Sequence, residues 1–226
     1  MSQLDWREDE TLTAQLRVMS RRQRNQAAYL ALRRLQAPLL RIAMPTGWGV
    51  DPAAVDSLVR SGEVQMGGEN SEALQLAIAE LRDAPLFESE IEPEFAESFQ
   101  LEAINGWLAF GEALGEMSEV QADSLIALAR ELADYLDKNM DNSLTMTEGE
   151  GDRERYLAGV PECFLSYGLG YFGTRNLETE RICHEVVLAA PENEVTASSE
   201  AGGQLLHVCD EYSNQLASTL IQFSKY

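Results

Sequence analysis

The chain has 226 residues, with 38 Asp+Glu against 17 Lys+Arg and a formal net charge of −21 at neutral pH. So acidic a protein repels nucleic acid and anionic membranes, because affinity for phosphate rests on neutralisation by Lys and Arg. A hydrophobic content of 45% supplies enough apolar surface for a core in one domain or two small ones, which sets general disorder aside.

The first predicted helix carries Leu12, Leu16, Met19, Gln23, Gln26 and Leu30 at alternating spacings of three and four. Asp9 and Glu10 at its start and Arg33 and Arg34 at its end suit the helix dipole, and Pro38 breaks or kinks it. An apolar segment, Leu39 to Met44, leads into the turn Pro45-Thr46-Gly47-Trp48-Gly49-Val50-Asp51, after which Pro52 opens another helix. Ser61 to Gly68 reads as a loop. Asn70 or Ser71 then caps a helix bearing Leu74, Ile78 and Leu81 that ends near Pro85.

Carboxylates crowd the next junction, Glu88, Glu90, Glu92 and Glu94, with Glu97 one turn on, ahead of a helix that holds Phe95, Phe99, Ile104, Leu108 and Leu114. Ser118 with Gln121 makes a capping box for a helix striped by Leu125, Leu128, Leu132 and Leu136. Asp134, Asp137 and Asp141 fall at i, i+3 and i+7 on its other side, one face of negative charge. The polar stretch from Met140 to Asp152 predicts a boundary between a helical core, residues 1–142, and a smaller C-terminal helical subdomain, 143–226, packed on it. Within the latter, one helix spans about Asn176 to Ala190, and the last carries Leu205, Val208, Tyr212, Leu216, Leu220 and Phe223 as a continuous apolar stripe. No segment alternates with the period of a strand, so the predicted fold is all-α, a bundle of about seven to nine helices.

Three motifs invite chemistry. Gly168-Leu169-Gly170-Tyr171-Phe172-Gly173 satisfies the dinucleotide fingerprint but has no strand–helix–strand frame around it, so it reads as a glycine-rich helix junction. All three cysteines and both histidines lie between Cys163 and Cys209, yet the pairs Cys183-His184 and His207-Val208-Cys209 are too close in sequence to converge on one metal from a helix. Cys183 and Cys209 therefore read as small core residues, and all three cysteines, without partners at disulfide spacing, are expected to stay reduced. His184 stands one turn after Glu180, a spacing that serves an acid–base pair and, more commonly, an ordinary surface ion pair, which is the reading adopted. Arg17, Arg21 and Arg24 form a basic face expected to pair with the chain's own acidic helices. No catalytic residue, cofactor or metal ligand is assigned.

Ala31-Leu32-Arg33-Arg34-Leu35, the turn Thr46-Gly47-Trp48-Gly49 with Asp51, and the helix pair from Phe95 to Tyr135 resemble the bacterial YjaG-like family over about residues 27–140. Val50 interrupts the Gly-Asp step of that family, and Leu58-Val59-Arg60-Ser61-Gly62-Glu63 lacks its Trp before Glu. The resemblance implies a small all-helical bacterial protein with two long central helices, and it implies no catalytic residue.

The charge is distributed unevenly. Residues 1–60 hold nine basic and six acidic residues, residues 61–150 three and 21, and residues 151–226 five and 11. A basic protein is the natural complement of such a middle segment, although the same acidity serves solubility on many proteins. The expected function is protein binding, most specifically an immunity-type inhibitor of a basic toxin such as a nuclease, acting through Glu88, Glu90, Glu92, Glu94, Glu97, Asp134, Asp137 and Asp141. A structural or adaptor subunit docking through the C-terminal stripe is the alternative, and a helical ligand-binding domain or enzyme comes third. The acidic N-terminal residues show no secretory pattern, no apolar run nears the roughly 20 residues of a membrane span, and three widely spaced cysteines suit a reducing cytosol.

Overall fold

A computed structural model describes residues 9–67, 71–88, 93–147, 169–191 and 194–223. Among them are nine α-helices and no strand, so the all-α expectation holds. The helices are α1 (Asp9–Val18), α2 (Arg21–Arg34), α3 (Gln36–Arg41), α4 (Pro52–Gly62), α5 (Glu72–Arg82), α6 (Phe95–Glu112), α7 (Glu119–Thr147), α8 (Tyr171–Ala189) and α9 (Glu200–Phe223). Short 3-10 turns occupy Thr46–Trp48, Glu63–Gly67 and Pro85–Glu88.

The predicted first helix is two helices. Ser20 starts α2, its Oγ accepting the Gln23 N–H at 3.2 Å while Gln23 Oε1 accepts the Ser20 N–H at 2.9 Å. This capping box splits the segment without breaking the apolar stripe, and Leu12, Leu16, Met19, Gln23, Gln26 and Leu30 are all buried. α2 is the axis of the fold, packed against α6, α7, α8 and α9. It is buried almost all round despite its polar sequence, because its side chains find fixed partners. Gln23 Nε2 donates to Val187 O at 2.8 Å, and Gln26 Nε2 to both Met66 O and Val195 O, at 2.6 and 2.9 Å.

Pro38 sits in the first turn of α3, where a missing N–H costs nothing, and the Ala37 N–H ahead of it donates to Ser213 Oγ on α9. In the turn that follows, Trp48 is buried and Gly49 adopts φ +60, with space for a Cβ already taken by Pro85. Asp51 caps α4 by accepting the Ala53 N–H, and Pro52 is the first helical residue, as predicted. Ser61 to Gly67 is not the expected loop: α4 runs through Gly62 and passes into a 3-10 turn that buries Gln65 and Met66 against α2. Ser71 caps α5, and Ser118 and Gln121 form their predicted box at the start of α7.

The boundary expected at residue 142 falls inside α7, which continues to Thr147. α8 lies on α7 and α2, α9 lies on α2 and α3, and their residues Cys183, Val187, Leu205, Cys209, Tyr212, Leu216 and Leu220 join one core with those of the N-terminal helices. Leu205, Tyr212, Leu216 and Leu220 of the α9 stripe are thus covered within the chain, while Val208 is half-buried and the side chain of Phe223 lies outside the described residues. No helix of the described residues is long and apolar enough to cross a membrane.

Candidate functional site: an acidic helix layer over a buried charge network

The acidic residues singled out from sequence separate into different environments. Glu88 and Glu94 are exposed, while Glu97 is half-buried and accepts the Glu94 N–H at 2.9 Å, a local bond at the start of α6. Asp134 is half-buried and pairs with Lys138 one turn along α7. Glu90 and Glu92 lie outside the described residues, as does the side chain of Asp141.

Asp137 does not belong to a solvated face with Asp134. It is 6% exposed, and its two carboxylate oxygens accept the N–H groups of Phe172 at 2.9 Å and Gly173 at 2.7 Å. Helix α8 begins at Tyr171, so these are the free donors of its first turn, and a buried carboxylate satisfies both them and the helix dipole. Gly170 permits this approach, since a Cβ there would stand 2.4 Å from Asp137 Cγ. The glycine-rich motif therefore presents its backbone to a carboxylate from α7, in the manner of a phosphate loop, and its described part, Leu169 to Gly173, runs into the start of α8; Gly168 lies outside the described residues.

Glu180 and His184 are not a surface pair either. Both are buried, 3% and 2% exposed, facing α2 and α7. Arg130 of α7 grips both Glu180 oxygens, with Nε–Oε2 at 2.9 Å, and Arg34 of α2 approaches to 3.8 Å while donating to Asn176 O at 2.9 Å. Burial alone would push the Glu180 carboxyl up, but the hydrogen bonds and charge of Arg130, with His184 and Arg34 adding to them, hold it below the ordinary carboxylate range. His184 is pushed down to about 4, first by burial and then by the two arginines, against the opposing pull of Glu180. It is neutral near pH 7, with Nδ1 2.8 Å from Gln15 Oε1 of α1. A neutral imidazole bound to an amide, beside a carboxylate held between two guanidinium groups, joins α1, α2, α7 and α8; no nucleophile stands within its hydrogen-bond reach among the contacts described.

Arg33, next on α2, makes a second knot. Its guanidinium meets Asp210 of α9 through two bonds, at 2.6 and 2.7 Å, and Glu63 at 2.7 Å, while Nη1 donates to Tyr29 Oη at 3.1 Å. Arg33 and Arg34, which looked like dipole-compensating ends of a surface helix, are the main charged anchors of the interior. Of the predicted basic face, Arg24 bridges to Glu119 at 3.5 Å, whereas Arg17 and Arg21 are exposed and make no ion pair among the described residues.

The acidic surface that remains lies on the consecutive helices α5, α6 and α7. Glu72 and Glu80 of α5, Asp83 just after it, Glu112 of α6, Glu116 and Glu131 are exposed, with Glu102 half-buried. The three basic residues of the same stretch are all engaged: Arg82 with Glu112 at 3.3 Å, Lys138 with Asp134, and Arg130 in the buried network. The sequence clusters do not mark this surface, because its carboxylates are spread singly or in pairs along three helices, α5 packing on α6 and α6 on α7.

Among the described residues no three His, Cys, Asp or Glu side chains converge as metal ligands. The residues that carry the resemblance to the YjaG-like family, Leu32 to Leu35, Trp48, Gly49 and Asp51, are engaged in packing, turning or capping. Comparisons with protein-family models, curated proteins and solved structures each find no match, so that resemblance rests on the quoted residues alone.

Proposed function

We propose that the chain is an acidic protein-binding module, most specifically an immunity-type inhibitor that covers and neutralises a basic protein toxin, such as a nuclease, in the cytoplasm of the bacterium that makes it. The observation that supports this reading is the surface of α5, α6 and α7, where exposed carboxylates outnumber cations and every cation of the stretch is already engaged. Charges required for folding are elsewhere: Asp137, Glu180 and Asp210 are bound to backbone or arginine, and Glu97 serves its own helix start. The outer carboxylates are left to act at long range. Their summed field speeds encounter with a basic protein by factors of about 10 to 1,000 at low salt, and pairs desolvated on contact slow release. Fast capture and slow release are the requirements of a neutraliser.

The adaptor reading has less support from the C-terminal stripe, because Leu205, Tyr212, Leu216 and Leu220 are buried and α9 packs on α2 and α3. The test is co-expression. A basic protein encoded beside this chain should arrest growth alone and cease to do so when the chain is co-expressed. Neighbouring genes for assembly subunits, with no toxin relieved, would hand the reading to the adaptor.

A further inference from the structure

Helices α8 and α9 bring two cysteines together that are 26 residues apart in sequence. The sulfurs of Cys183 and Cys209 are 3.7 Å apart, and the two residues are 2% and 0% exposed. The expectation that they lack disulfide partners is therefore overturned in its geometry. A disulfide needs its sulfurs at about 2.05 Å, so bond formation requires the two to approach by less than about 2 Å. We propose that Cys183 and Cys209 form a dithiol–disulfide pair which peroxide oxidises, fastening α8 to α9 beneath α2.

The surroundings assign different roles to the two sulfurs. Cys209 has a second contact, to Leu30 O at 3.6 Å. The Cys183 thiol is held below its ordinary value, first by the hydrogen bond with Cys209 and then, against burial, by the positive charge of Arg34, whereas Cys209 is pushed up by the same hydrogen bond and by burial. Cys209, whose thiol donates to Leu30 O and so keeps its proton, is the resolving thiol, and Cys183 is the nucleophile. The Cys183 thiolate attacks one oxygen of hydrogen peroxide, the O–O bond breaks, and Cys183 becomes a sulfenic acid while the departing hydroxide is protonated to water. The Cys209 sulfur then attacks the Cys183 sulfur. The S–O bond breaks, and the hydroxide leaves as a second water with the Cys209 proton. Two thiols and one peroxide give one disulfide and two waters, with both sulfurs oxidised and the peroxide reduced. Peroxide is the oxidant invoked because burial denies the thiols to bulky disulfides; for the same reason the reaction is slower than that of an exposed thiol.

The test treats the full-length protein carrying Cys163→Ser with hydrogen peroxide under native conditions, then blocks remaining thiols in denaturant and maps peptides by mass spectrometry. The expected product is a single Cys183–Cys209 cross-link, lost on reduction, with a higher thermal melt than the reduced form. Cys183→Ala and Cys209→Ala should each abolish both the cross-link and the peroxide-induced rise in melt. Because either alanine variant could fold poorly, the cross-link in the Cys163→Ser protein is itself decisive: two fully blocked thiols, or over-oxidised Cys183 without a bridge, would overturn the proposal.

Discussion

Asp137 separates two readings of the same sequence, a solvated acidic face and a buried helix cap, and replacing it measures which holds. Asp137→Ala removes the acceptor for two N–H groups at 2.9 and 2.7 Å and leaves both donors buried at the start of α8. Hydrogen bonds to a charged acceptor contribute about 1.5–3 kcal/mol each, and relief of the carboxylate's own burial offsets part of the pair, so the expected loss is about 3–4 kcal/mol. For a chain of this length that lowers the melting temperature by roughly 10 °C. Asp137→Asn, which keeps one acceptor oxygen, should fall between. The control is Asp134→Ala, three residues earlier, which gives up only the exposed Lys138 pair and should cost no more than about 0.5 kcal/mol. Urea unfolding followed by circular dichroism reads all three. Equal small losses for Asp134→Ala and Asp137→Ala would refute the cap and return Asp137 to the surface.

Other outcomes follow from the interior. Glu180→Gln leaves Arg34 and Arg130 facing a neutral amide and should cost about 3–5 kcal/mol in the same assay, and a loss under 1 kcal/mol would show that Glu180 is solvated. His184, whose folded value of about 4 lies below its unfolded value near 6.5, contributes stability that is complete above about pH 6.5 and drains away as pH falls towards 4; the loss between pH 6.5 and 5 should be about 2 kcal/mol. His184→Gln should flatten that slope, and an imidazole titrating near 6.5 by nuclear magnetic resonance would exclude it. Glu180, also held low, supports the fold above its unfolded value near 4.3, and its contribution declines only at more acid pH. Gly49→Ala places a Cβ 2.7 Å from Pro85 at a positive φ and should destabilise by about 1–3 kcal/mol, with an unchanged urea midpoint as the contrary result.

The fold was legible where the sequence carries its own local signal. Leu125, Leu132 and Leu136 repeat at helical spacing, Ser118 and Gln121 cap each other, and Asp51-Pro52 opens a helix by short-range geometry. The break at Ser20 was equally local, a Ser-x-x-Gln box, yet the apolar stripe continues across it in phase and masks it. The interior charges were not legible because their partners are remote. Arg33 waits on Asp210, 177 residues away, Asp137 on the backbone of residues 172 and 173, and Glu180 on Arg130 and Arg34. Periodicity puts Asp134 and Asp137 on one helix face, and only the arrival of α8 buries one of them. The same holds for Cys183 and Cys209, whose helical phases matched the core while their contact depended on how α8 meets α9.

On the proposed reading, the carboxylates outside this interior network serve to meet a basic protein. Its most direct test is the association rate of that partner with the wild-type chain and with a variant reversed at Glu80, Asp83, Glu102 and Glu131, measured as salt rises from about 0.1 M to about 1 M and the screening length falls from about 10 Å to about 3 Å. The wild-type rate should fall at least tenfold over that range, the variant should be slow at low salt and nearly insensitive to it, and both proteins should melt within a few degrees of each other. Identical rates and salt dependence for the two chains would contradict it and leave the acidic surface a device for solubility.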